Sequence, residues 1–391
     1  MQTAINTEMN NDSNSSTPAS FFSLLNDDDL VAALKKLNIT EPTKVQEAAI
    51  PVLIAKKDLV AEAQTGSGKT LAFVLPIISR IRSEQHKRGT FALILTPTRE
   101  LALQVQKVIE SIASDIKPAL VIGGASQSAQ IKALYNDCRI IVGTPGRIQD
   151  LINQRYILLR TCKAFVLDEA DEMLSMGFLN EVRTILSRLP KERQGMLFSA
   201  TISDRLQGLI SEFLTNPETI LVPKDEKTTA QIEHFFCTVE PGVVSKAHAL
   251  VQLLTTQDVQ SAIIFCNTKS DTEILENFLG KRNLNVRRIN SDLSQRERDE
   301  VIASLRNKTL KYLLATDIAA RGIDIKELEM VINYSIHDDI EVYVHRTGRT
   351  GRAGASGRAV SLISPLDFLA FHAVKKKLGI TPTEMILPKA E

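Results

Sequence analysis

The chain has 391 residues, enough for two globular units that each bury a core. Lys and Arg number 47 against 46 Asp and Glu, and the formal net charge of +1 gives no global sign of a polyanion partner, so any nucleic-acid surface must be local. Cys138, Cys162, Cys237 and Cys266 are far apart, with no zinc-spaced His cluster, signal peptide or apolar run near the roughly 18 residues of a membrane span; these absences argue against disulfide, metal-knuckle and membrane classes and for a cytoplasmic protein.

Residues 1–20 are rich in Asn, Ser and Asp with almost no large apolar groups, the composition of a disordered leader. From Asp27, which offers an N-cap, the spacing of Leu30, Val31, Leu34 and Leu37 predicts a helix to about Lys36. The run Pro42-Thr43-Lys44-Val45-Gln46 predicts a second helix through Ile54, with the proline near its first turn. Short apolar runs then alternate with helical spacings. Strands are expected at 59–61, 92–95, 120–122, 140–142, 164–167, 196–199 and 219–222, with helices at 100–113, 147–153, 179–189 and 204–214 among those between them. The polar, aperiodic segment 223–230 reads as a linker. Beyond it the alternation restarts with strands at 232–237, 262–265, 286–289, 312–315, 330–333 and 359–363. The fold class is therefore α/β: two tandem domains, 21–222 and 231–391, each a mostly parallel sheet with helices on both faces.

Two stretches carry chemistry. Ala63-Gln64-Thr65-Gly66-Ser67-Gly68-Lys69-Thr70 lies between an expected strand and an expected helix, the order a phosphate loop requires. Its glycines let backbone N–H groups curl round phosphate, Lys69 supplies a cation, and the Thr70 hydroxyl can ligate Mg²⁺. Alanine at position 63 departs from the usual first glycine. The second stretch, the apolar run Ala164 to Leu167, ends in Asp168, Glu169 and Asp171. Taken alone it reads as a buried strand entering an acidic turn. Beside a phosphate loop, Asp168 can serve the phosphate-bound Mg²⁺ and Glu169 can orient or deprotonate the attacking water, and the pair argues an NTPase using ATP and Mg²⁺.

Asp168-Glu169-Ala170-Asp171 is the tetrad of the DEAD-box ATP-dependent RNA helicases of superfamily 2, and the chain resembles that family across roughly residues 21–378. The other motifs stand in the family's order. In the first domain these are Pro42-Thr43 with Gln46, the phosphate loop, Pro97 to Leu101, Gly123-Gly124, Thr144 to Arg147 and Ser199-Ala200-Thr201. In the second they are Ile264 to Thr268, Gln295 with Arg298, Ala315 to Asp317 through Arg321 to Asp324, and His345 to Arg352. The family's phosphate loop commonly begins with alanine, so Ala63 fits it.

The resemblance implies two RecA-like domains and a division of roles. Gln46 reads the adenine edge, and Phe21, counted back from Asn38, stacks on the base, with Phe22 an immediate alternative; Asn38 stands where many members have glycine. Gly322 and Asp324 approach the nucleotide from the second domain, Asp324 at the ribose. Arg349 and Arg352 reach the γ-phosphate, a task suited to planar, permanently charged guanidinium groups. Asp171, Ser199, Thr201 and His345 couple nucleotide state to domain closure. Arg99, Gly124, Thr144, Arg147, Thr268, Gln295, Arg298 and Thr316 hold RNA sugar and phosphate with little base readout. A monomer acting on single-stranded RNA and short duplexes is expected, with protein partners for targeting and no membrane.

Overall fold

The computed structural model describes residues 20–64, 66–84, 89–222, 232–290, 292–320, 328–337, 339–351 and 357–388. The first unit holds seven strands: β1 (Leu59–Glu62), β2 (Ala92–Leu95), β3 (Ala119–Val121), β4 (Ile140–Gly143), β5 (Ala164–Asp168), β6 (Gln194–Ser199) and β7 (Glu218–Leu221). They form one parallel sheet in the order β3-β4-β2-β5-β6-β1-β7. The expected boundaries hold to within two residues. The reason is burial on both faces, which makes parallel strands read as continuous apolar runs. Ala164 and Val166 of β5 join one core with the helix Lys44–Ile54, while Phe165 and Leu167 join the opposite core with the helix Leu179–Leu186.

The second unit repeats the plan with β8 (Ile232–Thr238), β9 (Ala262–Cys266), β10 (Val286–Ile289), β11 (Tyr312–Thr316), β12 (Met330–Asn333), β13 (Gly357–Ile363) and β14 (Thr383–Glu384). Its order is β10-β11-β9-β12-β13-β8-β14, again parallel. The two-residue β14 had no sequence signal, being too short for periodicity. The phosphate loop and the Asp168 tetrad leave the carboxyl ends of the interior strands β1 and β5, where open α/β sheets bind ligands, whereas Gly123-Gly124 follows the edge strand β3 and Gln295 the edge strand β10. Among the described residues no helix is long and apolar enough to cross a membrane.

Local signals resolve the N-terminal region. Ser20, the last residue of the expected leader, instead accepts from the Ser23 N–H and caps a short helix, Phe21–Leu25; residues 1–19 lie outside the described residues, as does the expected linker at 223–230. Asp27 caps the helix Asp28–Lys36 as expected. That helix ends in a Schellman turn, with Asn38 N–H donating to the Lys35 carbonyl and Ile39 N–H to that of Leu34, both at 3.0 Å. Asn38 has φ 58°, and asparagine is the residue after glycine that tolerates this left-handed geometry best. The next helix begins at Lys44 with Thr43 as N-cap, so Pro42 stands just outside it and not in its first turn.

Candidate nucleotide site and nucleic-acid groove

The phosphate loop leaves β1 and enters the helix Lys69–Ser83, whose N-cap is Gly68. Gly68 has φ 94°, and a Cβ there would stand 2.5 Å from Gln46 Nε2 and 2.9 Å from Thr43 Oγ1. Glycine is thus required twice, by the turn and by the approach of the Gln46 segment. The Gln46 amide bonds within the protein on both sides: Oε1 accepts from the Thr43 N–H at 2.9 Å and Nε2 donates to the Gly68 carbonyl at 3.0 Å. Gln46 therefore binds the phosphate loop itself, and each amide atom keeps a second hydrogen-bonding site. Lys69 is buried and donates to the Ala63 carbonyl at 3.0 Å, spanning the cradle that phosphate would fill. The Ala63 N–H donates to the Ser199 carbonyl, and Ser67 Oγ to that of Gln64, while Thr70 occupies the first turn of the helix. Thr65 lies outside the described residues. Phe21 is packed in the core, and Phe22, 57% exposed, is the aromatic open to solvent on that short helix.

Asp168 ends β5 and is almost completely buried. Burial pushes its carboxyl up to about 7, against the pull of Lys69 and with the added repulsion of Glu169 and Asp171. Its Oδ1 has no hydrogen-bond partner among the described residues. A dry carboxylate with an orphan oxygen facing an anion cradle fits a divalent cation. No cluster of three or more His, Cys, Asp or Glu ligands occurs among the described residues, so Mg²⁺ would rest on Asp168, the Thr70 hydroxyl and the phosphates of its nucleotide. Glu169 turns the chain with φ 52°, a conformation costly for a non-glycine residue, and leaves its side chain half-buried beside Asp168.

Asp171, unlike Asp168, has donors on both of its oxygens. Its Oδ2 accepts from the N–H groups of Ala200 and Thr201 at 3.1 and 3.0 Å and from Thr201 Oγ1 at 3.2 Å, while Oδ1 accepts from the Glu172 N–H. The Asp171 N–H donates to Ser199 Oγ, which itself donates to the Thr201 carbonyl. The expected group of Asp171, Ser199 and Thr201 is thus assembled. His345 meets the acidic run one residue beyond the tetrad: its Nδ1 lies 2.6 Å from Oε1 of Glu172.

In that unit His345 and Arg349 follow from the helix Ile340–Thr347, fixed by Arg346. Arg346 is 2% exposed; its Nε and Nη2 bond the two Asp317 oxygens at 2.6 and 2.7 Å, Nη2 also donates to Asn267 Oδ1, and Nη1 donates to the Ser335 carbonyl. Arg349 and His345 line the same small recess beside Asp317. Gly322, Asp324 and Arg352 lie outside the described residues.

A groove of about 680 Å³ runs between the units and is lined by Arg99, Thr144, Arg147, Thr268, Arg298 and Thr316, all assigned to RNA from the sequence. Gly124 adjoins it with φ 76°, and a Cβ there would meet Arg99 Nη1 at 2.4 Å, so glycine lets the guanidinium lie over the turn. The Gln295 side chain lies outside the described set, although its residue opens the helix Gln295–Arg306. Arg298 crosses between units: Nη2 and Nε reach Glu100 Oε1 at 2.9 and 3.2 Å, and Nη2 also donates to the Ala319 carbonyl.

Residues 43–209 match the family model described as DEAD/DEAH box helicase, and residues 245–354 match that of the helicase conserved C-terminal domain. The chain belongs to the DEAD-box family of ATP-dependent RNA helicases. The RNA helicase CrhR of Synechocystis sp. is 41% identical over 347 residues, covering 88% of this chain and 70% of the relative. S. cerevisiae Dbp5 bound to RNA and ADP BeF3 gives a TM-score of 0.82 at 31% identity, covering 94% of this chain and 96% of that one. A DEAD box protein from Methanococcus jannaschii gives 0.52 at 35% identity, covering 94% and 100%.

Within this DEAD-box chain, sequence reasoning missed Glu100, Glu172, Lys269 and Arg346. Each lies inside or one residue beyond a recognised motif, but carries its role through a partner distant in sequence. Met176, Phe178 and Leu293, which give the groove an apolar side, also escaped notice. Chain spacing carries no signal for such pairings.

Proposed function

We propose that the chain hydrolyses ATP when its two units close on single-stranded RNA, and that closure separates short duplexes locally without processive travel. One observation carries the reading. Asp171 grips the Ser199 to Thr201 segment of its own unit while the adjacent Glu172 holds His345 of the other, so the phosphate site and the unit contact meet within one residue. The comparisons support it: similarity over nearly the same share of this chain is much higher to the RNA-bound Dbp5 structure than to the M. jannaschii protein, although identity runs the other way.

In this reading Lys69 exchanges the Ala63 carbonyl for phosphate, and Gln46 offers its remaining N–H and lone pair to the adenine edge, an amide pairing that favours ATP over GTP. Mg²⁺ held by Asp168 and Thr70 would neutralise phosphate charge. Glu169 is the base for the attacking water, and Arg349 and Arg352 offer guanidinium charge to the γ-phosphate from the second unit. ATP can shift the units toward closure only by binding the closed form more tightly than the open one. Groove side chains aimed at phosphate hold a strand with little sequence preference, and contacts to 2′-hydroxyls select RNA over DNA. The four cysteines are free and buried, which supports action in a reducing compartment.

The test measures phosphate release with single-stranded RNA, single-stranded DNA or neither, then strand separation of a short RNA duplex. RNA-selective stimulation with separation is expected. Equal stimulation by DNA points to a DNA translocase, and ATP-dependent RNA retention without separation points to a clamp. Glu169→Gln should keep ATP and RNA binding and lose turnover; undiminished phosphate release would remove Glu169 from its role.

A further inference from the structure

Lys269 lines the groove beside Thr268 and Arg298, but its cation already has a partner: Nζ lies 2.9 Å from Asp292 Oδ1, with the two side chains 59% and 50% exposed. Lys269 opens the helix Lys269–Gly280, whose N-terminus repels a cation, so the position calls for a neighbouring anion. Asp292 supplies it, and the Lys269 ammonium is held more basic than usual by that hydrogen bond.

The pair is set on buried scaffolding. The Asp292 N–H donates to Asn290 Oδ1 at 3.1 Å, Asn290 Nδ2 donates to Thr272 Oγ1 at 3.3 Å, and Thr272 Oγ1 donates to the Lys269 carbonyl at 2.6 Å. Asn290 and Thr272 are completely buried. Two buried polar side chains thus fix the Asp292 turn against the first turn of the Lys269 helix, so the carboxylate is held at this place by the fold.

Two other groove cations are also held by carboxylates, and they differ instructively. Arg298 pairs with Glu100 of the other unit and is mostly buried, so its bond joins the units. Arg147 pairs with Asp150 of its own helix. Lys269 alone of these three has an exposed pair within one unit, free to trade its carboxylate for another anion without disturbing the unit contact.

We propose that Lys269 is a further RNA-phosphate contact and that Asp292 is its placeholder, occupying in the RNA-free groove the position a backbone phosphate takes. The proposal rests on the groove being the RNA site. Asp292 then sets affinity: it removes Lys269 from non-specific attraction and yields it only to a strand seated by the rest of the groove. This also reconciles a nucleic-acid track with a chain of net charge +1.

The experiment titrates a short fluorescein-labelled oligouridine with the intact chain and a non-hydrolysable ATP analogue between about 50 and 200 mM salt. Asp292→Asn removes one carboxylate at contact range of the incoming phosphate. It should tighten binding about fivefold at low salt and steepen the log–log salt dependence by about 0.7. Lys269→Gln should weaken binding, and the double variant Lys269→Gln/Asp292→Asn should recover part of that loss. Unchanged affinity and slope in Asp292→Asn, or weaker binding, overturns the proposal, as does a Lys269→Gln that binds like the parent. Absence of ATP-dependent RNA binding in the parent chain overturns the groove assignment instead.

Discussion

Replacing Glu100 by Gln tests whether the groove and the unit contact share one bond. Arg298 places Nη2 and Nε at 2.9 and 3.2 Å from a single Glu100 oxygen, with side-chain exposures of 14% and 11%. At an effective dielectric of about 20 the attraction is about 4–5 kcal/mol before desolvation. Desolvation of both groups and the hydrogen bond that Gln can still accept reduce the net loss to about 1–2 kcal/mol. Arg298 keeps the Ala319 carbonyl, which limits the penalty of leaving it unpaired. Because the bond joins residues of different units, the loss falls on the closed arrangement and lowers ATP-dependent RNA affinity about 5- to 30-fold. Energy transfer between dyes on the two units, read with oligouridine and a non-hydrolysable ATP analogue, should report a smaller closed fraction in step with affinity. ATP affinity without RNA should be unaltered. Parent-like RNA affinity and energy transfer would refute the reasoning, because a bond between the units would then contribute nothing to their closure.

Arg346→Ala should cost about 3–5 kcal/mol, since it strips a nearly inaccessible guanidinium from Asp317, Asn267 and Ser335 and leaves the Asp317 charge unpaired; chemical denaturation followed by circular dichroism gives the value. Gly68→Ala should weaken ATP binding and cost about 1–3 kcal/mol, from a residue forced to φ 94° and a Cβ placed against Gln46; nucleotide titration and thermal melting read the two effects. Burial pushes the thiol of Cys138 up to about 11 and those of Cys162 and Cys237 up to about 12. A raised thiol pKa keeps the unreactive form as pH rises, so at pH 8 the Cys138 thiolate fraction is about one in a thousand or less. Ellman's reagent should therefore label the native chain slowly and the urea-unfolded chain at all four cysteines.

The strands were legible because burial on both faces leaves an uninterrupted apolar run, as at Ala164 to Leu167, and the phosphate loop and acidic tetrad were legible because they sit where such runs end, while residues on helices such as Gln46 and Arg298 were reached through the family resemblance. Partner identity was not. That His345 meets Glu172, the residue after the tetrad, is a pairing between distant parts of the chain with no trace in spacing. Gln46 likewise reads as a ligand for adenine, while the turn of Gly68 brings a carbonyl within its reach first. Asn38 shows the reverse: it departs from glycine in sequence, yet its φ of 58° shows the same left-handed requirement met by another residue.

Asp168 and Asp171 make the same point within one acidic run. Both are buried aspartates on the β5 exit, and their residue type predicts equal chemistry. Asp168 keeps an oxygen with no donor among the described residues, and burial holds its carboxyl above the usual range. Asp171 has its donors in place, so an arriving charge gains little from it; it is tied to Thr201 on one side and to the Glu172 N–H on the other. The two acids thus differ in hydrogen-bond supply: the one with an unsatisfied oxygen has room for a ligand, and the satisfied one is tied to the Thr201 segment beside the residue that holds His345.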